Sequence, residues 1–229
     1  TGLREVAQRT KTVALPRLQS LAKELGIILF AGSIHEIHPS TPDKYQNTAL
    51  VIGRGGNITC RYAKCHLFHL ENDQGEVLYS EATDFLHGDT PTSVTVDGWS
   101  TGVSICYDIR FPELYRSLNV HGAVDVHIVP AAFTMQTGKD HWEILLRAKA
   151  IEYQCYVVAA NQIGVHGDGK QSYGHSMIID PWGCKIADTG ETTGVATAFL
   201  DPERIAIARR KLPALRNMRL DLKAAKHYD

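Results

Sequence analysis

The chain has 229 residues, of which 44% are hydrophobic and 21% are charged, and its formal net charge is −1. This composition is typical of a globular chain with a sizeable core, and we expect a single domain over residues 1–229. The balanced charge offers no general field for nucleic acid or an anionic membrane, and no run of 18 apolar residues predicts a membrane span.

The first predicted element is a helix over residues 16–26. Its sequence, PRLQSLAKELG, begins with a proline and ends with a glycine, the residues preferred at those two ends of a helix. Leu18, Leu21 and Leu25 recur at the spacing of one helical face.

Short apolar runs separated by turn residues predict the strands. The segment RGG and the pair Asp97-Gly98 each fit a hairpin turn between two such runs. Residues 66–91 are polar with little periodicity, which predicts a long loop of the kind that is often functional. The predicted strands are residues 27–34, 47–53, 57–63, 93–96, 99–106, 124–130, 155–161, 174–180, 184–188 and 194–200.

Helices are predicted between the later strands. One covers residues 110–121, where Arg110 and Glu113 predict an ion pair at the start of the helix, with substrate binding by these two residues as the alternative. Another covers residues 140–154, and the last begins at Asp201-Pro202. Strands that alternate with helices, together with hairpins in both halves, predict an α/β layered fold with a mixed sheet. The apolar face of the helix over 140–154 is predicted to consist of Trp142, Leu145, Leu146 and Ile151.

The cysteines and histidines show no metal-binding or disulfide pattern. The five cysteines are scattered, odd in number and without a C-x-x-C pair. They argue against a disulfide framework and a thiolate zinc site, and they predict reduced thiols in a cytoplasmic setting. The histidines lack metal-ligand spacing, so we predict no metal and no cofactor.

The stretch GVSICYDIRFPELYR places Cys106 where a predicted strand ends and a predicted helix begins. A helix starting near Ile109 would direct its positive end at the sulfur and favour the reactive thiolate. The alternative is an inert core cysteine, which the general burial of free cysteines favours. A nucleophile also needs a base and oxyanion donors, for which Lys64, His66 and Glu81 are candidates.

Four segments are together similar, in order and spacing, to the nitrilase-like carbon–nitrogen hydrolase superfamily. They are YAKCHLF, GVSICYDIRFPELYR, PAAFTMQTGKDHWEILLRAKAIEYQCYVVAANQ and SYGHSMIIDPWG, and the resemblance extends over nearly the whole chain from Pro16 onward. It implies a four-layer α-β-β-α sandwich. The segments look most like the amidase branch that contains deaminated-glutathione amidases and ω-amidases. The stretches IEYQCYVVAANQ and SYGHSMIIDPWG look more like the deaminated-glutathione amidases.

The resemblance implies a Glu–Lys–Cys site. Cys106 would be the nucleophile. Lys64 would hold the tetrahedral oxyanion together with the backbone N–H of Tyr107, and it would pass a proton to the leaving group. Glu81 would hold the lysine or assist the base. Phe133 would line the acyl pocket.

Two further expectations come from the same resemblance. His66 would support the site from behind the reacting groups. Family members begin with a strand, a helix and a second strand that ends in the general-base glutamate, whereas the segment TGLREVAQRTKTV shows no such pattern. Glu5 lies in a polar context unlike the family's and is not given that role. We therefore expect a chain that lacks this N-terminal strand–helix–strand and has no residue matching the base.

The implied reaction is hydrolysis of the terminal carboxamide of a small 2-oxo acid amide, such as deaminated glutathione, through a cysteine thioester with release of ammonia. An ω-amidase acting on 2-oxoglutaramate and an N-carbamoyl hydrolase are alternatives within the family. A non-enzymatic alternative is an inactive relative that binds a partner or a small acid. The implied partners are a small-molecule amide and further copies of the chain, in a homodimer or a higher homo-oligomer.

Overall fold

A computed structural model describes residues 2–119, 124–166 and 169–219. The helices are α1 (Gly2–Arg9), α2 (Leu15–Leu25), α3 (Pro112–Leu118), α4 (Met135–Thr137), α5 (Glu143–Tyr153) and α6 (Pro202–Lys211), and π-helical turns at Thr10–Ala14 and Gly138–Trp142 precede α2 and α5. The strands are β1 (Leu29–His38), β2 (Thr41–Ile52), β3 (Ile58–Ala63), β4 (His69–Glu71), β5 (Val77–Ser80), β6 (Thr92–Val96), β7 (Trp99–Val103), β8 (Val126–Ala131), β9 (Tyr156–Asn161), β10 (Ile163–Val165), β11 (Gln171–Tyr173), β12 (Met177–Ile179) and β13 (Lys185–Asp188). None of the helices in these ranges has the length and apolar character needed to cross a bilayer.

Strands β1, β2 and β3 form an antiparallel sheet. The end of β2 is an unbroken apolar run because both of its faces are covered. Ala49 and Val51 pack against the second sheet, whereas Leu50 and Ile52 pack under α2. Successive side chains of a strand point to opposite faces, so such a run fits a strand buried between two layers.

Helix α2 packs on this sheet with only part of its leucine face. Ala22 is buried against β2 and Leu18 is half-buried beside it, but Leu21 and Leu25 are exposed. Two of the three leucines on that face are therefore not part of the core. Gly26 ends the helix with a left-handed φ of +61°, as its position in the sequence predicts.

The second sheet has the order β13–β12–β9–β8–β7–β6, with β7, β8 and β9 parallel and the outer strands antiparallel. Parallel neighbours need a crossover connection, and α3 and α5 lie in these two crossovers. Trp142 and Leu146 pack with Val129 and Val157 on one face of this sheet. The mixed α/β architecture predicted from the sequence is confirmed.

The buried face of α5 is rotated relative to the prediction. Leu146, Ala150 and Tyr153 are buried and Leu145 is half-buried, whereas Ile151 is 50% exposed. Ile151 therefore does not belong to the core face of the helix. Its side chain lies instead near Gly183, in the turn before β13.

Residues 194–200, which were predicted to be a strand, do not form one. Val195 and Phe199 are 90% and 87% exposed, while Leu200 packs near Tyr156 and Ile205. The apolar alternation is present, but no strand among the described residues pairs with this segment. The prediction fails because a strand needs a hydrogen-bonded neighbour as well as a pattern.

Two connecting segments also differ from their predictions. Residues 66–91 are not one long loop, since β4 and β5 pair as an antiparallel hairpin that is followed by a 3₁₀ turn at Glu81–Thr83. The helix predicted over 110–121 is shorter. A 3₁₀ turn covers Cys106–Arg110, Phe111 is extended, and α3 begins only at Pro112. The last two predicted positions, 120 and 121, lie outside the described residues.

Candidate active site

Cys106 stands at the bend that follows β7. The N–H of Ser104 still donates to the carbonyl of Ile128 at 3.1 Å, so the parallel pairing continues to within two residues of the thiol. Cys106 itself has a φ of +48°, in the left-handed region that residues other than glycine rarely adopt. Such conformations cost on the order of 1–3 kcal/mol and cluster at functional sites.

The helix dipole expected at Cys106 is not the source of thiolate support. Helix α3 begins at Pro112 after an extended residue, and dipole effects fade within one turn. Burial raises the pKa of the Cys106 thiol, and the ammonium of Lys64 and a backbone hydrogen bond with Ala132 oppose that rise. The positive charge beside the sulfur therefore comes from the lysine.

Lys64 and Glu81 form a buried ion pair beside the thiol. Lys64 is only 2% exposed, and its Nζ donates to Oε2 of Glu81 at 2.5 Å. The same oxygen accepts the N–H of Phe68 at 2.6 Å. A buried ammonium needs such a carboxylate, because an unpaired charge away from water is costly.

The β4–β5 hairpin fixes the position of Glu81. The residue follows β5 directly, and its N–H donates to the carbonyl of Phe68 at 2.9 Å. The carboxylate of Glu81 in turn accepts the N–H of Phe68, so Phe68 holds both the backbone and the side chain of Glu81. The segment that was predicted to be a loop is thus the scaffold of the carboxylate.

Asp108 joins the turn of the nucleophile to the strand that carries the lysine. This carboxylate is fully buried. Its Oδ2 accepts from Tyr62 Oη at 2.7 Å and from the N–H of Ile105 at 2.9 Å, and its Oδ1 accepts the N–H of His66 at 2.9 Å. Since Tyr62 and His66 flank Lys64 in sequence, these bonds lock the Cys106 turn against the end of β3.

His66 lies behind Asp108 and does not line the cavity that contains the thiol. Its Nδ1 is 2.8 Å from Oδ1 of Asp108, and its ring stacks on Phe111 with centroids 3.7 Å apart. The residue therefore touches the network that holds Cys106 and not the reacting groups.

A cavity of about 580 Å³ brings the other predicted residues together. That volume is in the range of small-molecule sites. Phe133 is buried in its wall, with its N–H bonded to Oδ1 of Asn161 at 2.8 Å. Tyr107 lines the cavity and packs its ring against Phe68 and Phe111, with both centroid distances 5.1 Å. The predicted residues that line the cavity are Lys64, Glu81, Cys106, Tyr107 and Phe133.

Four of the lining residues that were missed or misread from the sequence bear on the chemistry of the cavity. Arg110 lies 5.2 Å over the ring of Phe133, and among the described residues it forms no ion pair with Glu113, so the predicted pair is wrong. Lys170, from the β10–β11 hairpin, lies 4.2 Å over the ring of Tyr79 on the cavity wall. Among the described residues, the lysine and arginine side chains that line the cavity are Lys64, Arg110 and Lys170, and the carboxylate is that of Glu81. The other two missed residues are His35 and Asn47.

A sequence signal existed for only some of these residues. Arg110 stands in the segment that carries the nucleophile, and its place on the cavity wall fits the alternative of substrate binding, whereas Glu113 does not line the cavity. His35 and Asn47 lie in segments whose alternation predicts strands and nothing more. Within the described ranges, no group of three or more His, Cys, Asp or Glu side chains could hold a metal ion.

The chain is similar to known proteins over most of its length. A family model described as carbon–nitrogen hydrolase matches residues 3–210. A Synechocystis protein named deaminated glutathione amidase is 42% identical over 214 residues, which are 93% of this chain and 78% of that protein.

Solved structures show the same similarity. The crystal structure of the Caenorhabditis elegans NitFhit protein has a TM-score of 0.90 and 38% identity, and the match covers 97% of this chain and 54% of that one. The structure of Nit3 from Saccharomyces cerevisiae, a member of the nitrilase superfamily, has a TM-score of 0.78 and 33% identity, with 87% of this chain and 69% of that one covered.

Proposed function

The chain belongs to the carbon–nitrogen hydrolase family, and we propose that it is an amidase that cleaves a linear amide of a small 2-oxo acid through a thioester on Cys106. The observation that carries the proposal is that Cys106 and the buried Lys64–Glu81 ion pair line the same cavity. Nucleophile, cation and carboxylate there converge on one small-molecule site, and several relatives, the Synechocystis protein among them, are named deaminated glutathione amidase.

In the first step, the Cys106 thiolate attacks the amide carbon. A C–S bond forms, and the carbonyl oxygen becomes an oxyanion that Lys64 Nζ and the N–H of Tyr107 bind. Donors aimed at the developing charge stabilise the transition state more than the substrate. The oxyanion then collapses, the C–N bond breaks, and the nitrogen leaves with a proton from Lys64.

In the second step, water attacks the thioester. Its proton goes to the neutral Lys64 amine, the C–S bond breaks, and Cys106 returns as the thiolate while the acid departs. Atoms and charges balance over the cycle, since one amide and one water give one acid and one amine. Glu81 already accepts from Lys64 and Phe68, so its proposed role is to hold the lysine and restore its charge.

The proposed acyl group is a 2-oxo acid that carries a carboxylate. The similar proteins named deaminated glutathione amidase support this choice, as does the guanidinium of Arg110 on the cavity wall. Deaminated glutathione carries a secondary amide and not a terminal carboxamide, so its leaving group is a dipeptide amine and the ammonia release expected from the resemblance is wrong for this substrate. 2-Oxoglutaramate carries a primary amide and would release ammonia. Both would yield 2-oxoglutarate.

Purified protein incubated with each amide tests the proposal when 2-oxoglutarate and ammonia are measured separately. We expect 2-oxoglutarate from deaminated glutathione without ammonia, and both products from 2-oxoglutaramate if the cavity accepts it. Cys106→Ala should abolish turnover, and Glu81→Gln should lower it by roughly a hundredfold or more. Cys184→Ala, at an exposed thiol, is the matched control and should retain full activity.

The opposite outcomes are equally specific. Turnover that survives Cys106→Ala would refute the thioester mechanism. Protein that binds 2-oxoglutarate but cleaves neither amide nor an N-carbamoyl acid would identify the chain as an inactive, ligand-binding relative.

The layering, assembly and location of the protein are further proposals. A four-layer α-β-β-α order is supported by α2 packed on the first sheet, α5 packed on the second, and the apolar contact between the sheets. A homodimer or a higher homo-oligomer is proposed by family resemblance, and light scattering on the purified protein would test it. Five unpaired cysteines support a cytoplasmic location.

A further inference from the structure

One face of the β4–β5 hairpin lines the cavity. Leu70 and Tyr79 lie directly opposite each other in the two strands, and next to them the N–H of Glu81 donates to the carbonyl of Phe68. Successive side chains of a strand point to opposite faces, so these four residues share one face of the hairpin. All four line the cavity, whereas Leu78, on the other face, does not. The lining face therefore begins at Glu81 and continues along the hairpin.

The part of this face beyond Glu81 is apolar and open to a ligand. Leu70 is 40% exposed and Tyr79 is 37% exposed, although both line a cavity. The ring of Tyr79 packs near that of Phe68, with centroids 5.9 Å apart. Ligand cavities are lined mainly by apolar and aromatic side chains, which the ligand covers when it binds. Leu70 and Tyr79 therefore form an accessible apolar subsite.

The proposed reaction determines which part of a substrate reaches this subsite. Lys64 gives its proton to the leaving nitrogen, so that nitrogen must come within hydrogen-bond distance of Lys64 Nζ. The same Nζ donates to the carboxylate of Glu81, where the lining face of the hairpin begins. The acyl carbon is meanwhile bonded to Cys106, which follows a strand of the second sheet. A substituent on the leaving nitrogen therefore starts beside the hairpin.

The dimensions of the hairpin match a dipeptide. Ser80, between Tyr79 and Glu81, is extended with φ −146° and ψ 118°. At a rise of about 3.3 Å per residue, Tyr79 lies about 6.6 Å beyond Glu81. An extended dipeptide spans about 7 Å. The cavity of about 580 Å³ also exceeds the roughly 300 Å³ of the smallest ligand sites, so it has room for more than a five-carbon acyl group.

We propose that Leu70 and Tyr79 bind the leaving group, so that the cavity prefers amides with a peptide-sized substituent on nitrogen over primary amides of the same acid. This inference rests on the proposed function and names the substrate class within it. A primary amide releases ammonia, which has no atoms to contact these side chains. A peptide amine does contact them, and binding energy from such a remote part of the substrate can also support turnover.

The test compares deaminated glutathione with 2-oxoglutaramate, which share one acyl group and differ in the leaving amine. Leu70→Ala removes part of the subsite at a position exposed enough for the variant to fold. We expect kcat/KM for deaminated glutathione to fall roughly tenfold, while the value for 2-oxoglutaramate changes less than about twofold. Equal losses for both amides would show that the hairpin only holds Glu81 in place, and they would overturn the proposal.

Leu78→Ala is the matched control. Leu78 precedes Tyr79 in β5, is 60% exposed and does not line the cavity. The same chemical change in the same hairpin should leave the ratio of the two kcat/KM values unchanged, and Leu70→Met, which keeps an apolar side chain of similar size, should largely preserve it. A ratio that falls as far in Leu78→Ala as in Leu70→Ala would indicate a disturbed hairpin and would overturn the proposal.

Calorimetry separates this inference from the proposed function. Cys106→Ala protein cannot form the thioester, so both amides can be bound without cleavage. Deaminated glutathione should bind more tightly than 2-oxoglutaramate, and adding Leu70→Ala should remove most of that difference. If the two amides bind equally, or if neither binds, the inference fails even where the unmodified protein cleaves an amide. If the preference is present but the unmodified protein cleaves neither amide, the proposed function fails and the inference stands.

Discussion

At the scale of single residues, Asp108 shows how one buried carboxylate can define a site without touching its ligand. Its oxygens accept from Tyr62, Ile105 and His66, which belong to segments more than 30 positions apart in sequence. The sequence marks Asp108 only as a polar neighbour of Cys106. Its role could not be predicted, because the partners of a buried carboxylate come from the tertiary fold.

We expect Asp108→Asn to destabilise the protein and to reduce turnover. The amide nitrogen of asparagine would face donors that the carboxylate now accepts, so at least one buried donor would lose its partner. The expected loss is about 2–4 kcal/mol in the free energy of unfolding, measured by denaturant titration. Turnover should fall further than the folded fraction alone explains, because the Cys106 turn would be released from β3.

Asp73→Asn is the control for this substitution, since Asp73 is exposed. It should change the free energy of unfolding by less than about 0.5 kcal/mol. An Asp108→Asn protein with the stability and activity of this control would show that the network does not hold the site.

At the scale of elements, the sequence predicted strands better than it predicted helical faces. The end of β2 is apolar at every position because both of its faces are covered. The strand could therefore be predicted without deciding which face is buried. For a helix, the buried face has to be chosen. Leu21 and Ile151 are exposed in the structure although each fits an apolar stripe in the sequence. Periodicity shows that a stripe exists, but its edges depend on how closely the sheet approaches, as the buried Ala22 of α2 shows.

Strand β8 carries a buried group that makes its packing dependent on pH. His127 is fully buried, both ring nitrogens lack partners among the described residues, and Tyr115 and Tyr153 pack edge-on against it. Burial, with a smaller effect from the Lys149 ammonium, lowers the pKa of His127 from 6.5 to about 3. The unfolded chain therefore binds one more proton than the folded chain between these two pH values.

From this difference we expect the free energy of unfolding to fall as the pH drops below about 6.5, by up to about 1.4 kcal/mol per pH unit from this residue. His127→Leu removes the titration and both unpartnered nitrogens. Its unfolding free energy at pH 7 should equal or exceed that of the unmodified protein, and its slope between pH 6 and 4 should be shallower. Urea titrations at several pH values measure both quantities.

His87→Leu, at an exposed histidine, should leave that slope unchanged. If the slope is the same in the His127→Leu protein as in the unmodified one, then another buried group controls the acid sensitivity.

At the scale of the whole molecule, the site is a property of the junction between the two sheets. Lys64 and Asn47 come from the first sheet, Cys106 and Phe133 from the second, and the β4–β5 hairpin adds Glu81. The sequence identified most of these residues through short motifs that resemble a family. The sequence did not predict that Asn47 and the β4–β5 and β10–β11 hairpins line the cavity, because that depends on which edges of the two sheets lie together.

Because residues of both sheets line the cavity, an occupant should stabilise the entire structure and not one loop. Cys155 is a suitable reporter, since it is fully buried in the core of the second sheet and burial raises the pKa of its thiol. Its reaction with a thiol reagent in native conditions requires the core to open. 2-Oxoglutarate at 100 times its dissociation constant should stabilise the folded state by about 2.7 kcal/mol and slow this reaction about a hundredfold.

Mass spectrometry of the labelled cysteines distinguishes the possible results in one experiment. Cys106 should be protected by direct contact with the acid, Cys155 by the stabilised fold, and the exposed Cys184 not at all. Protection of Cys106 with an unchanged rate at Cys155 would mean that the core of the second sheet opens without breaking the cavity. The two sheets would then unfold as separate units, which is the opposite of what a site shared between them requires.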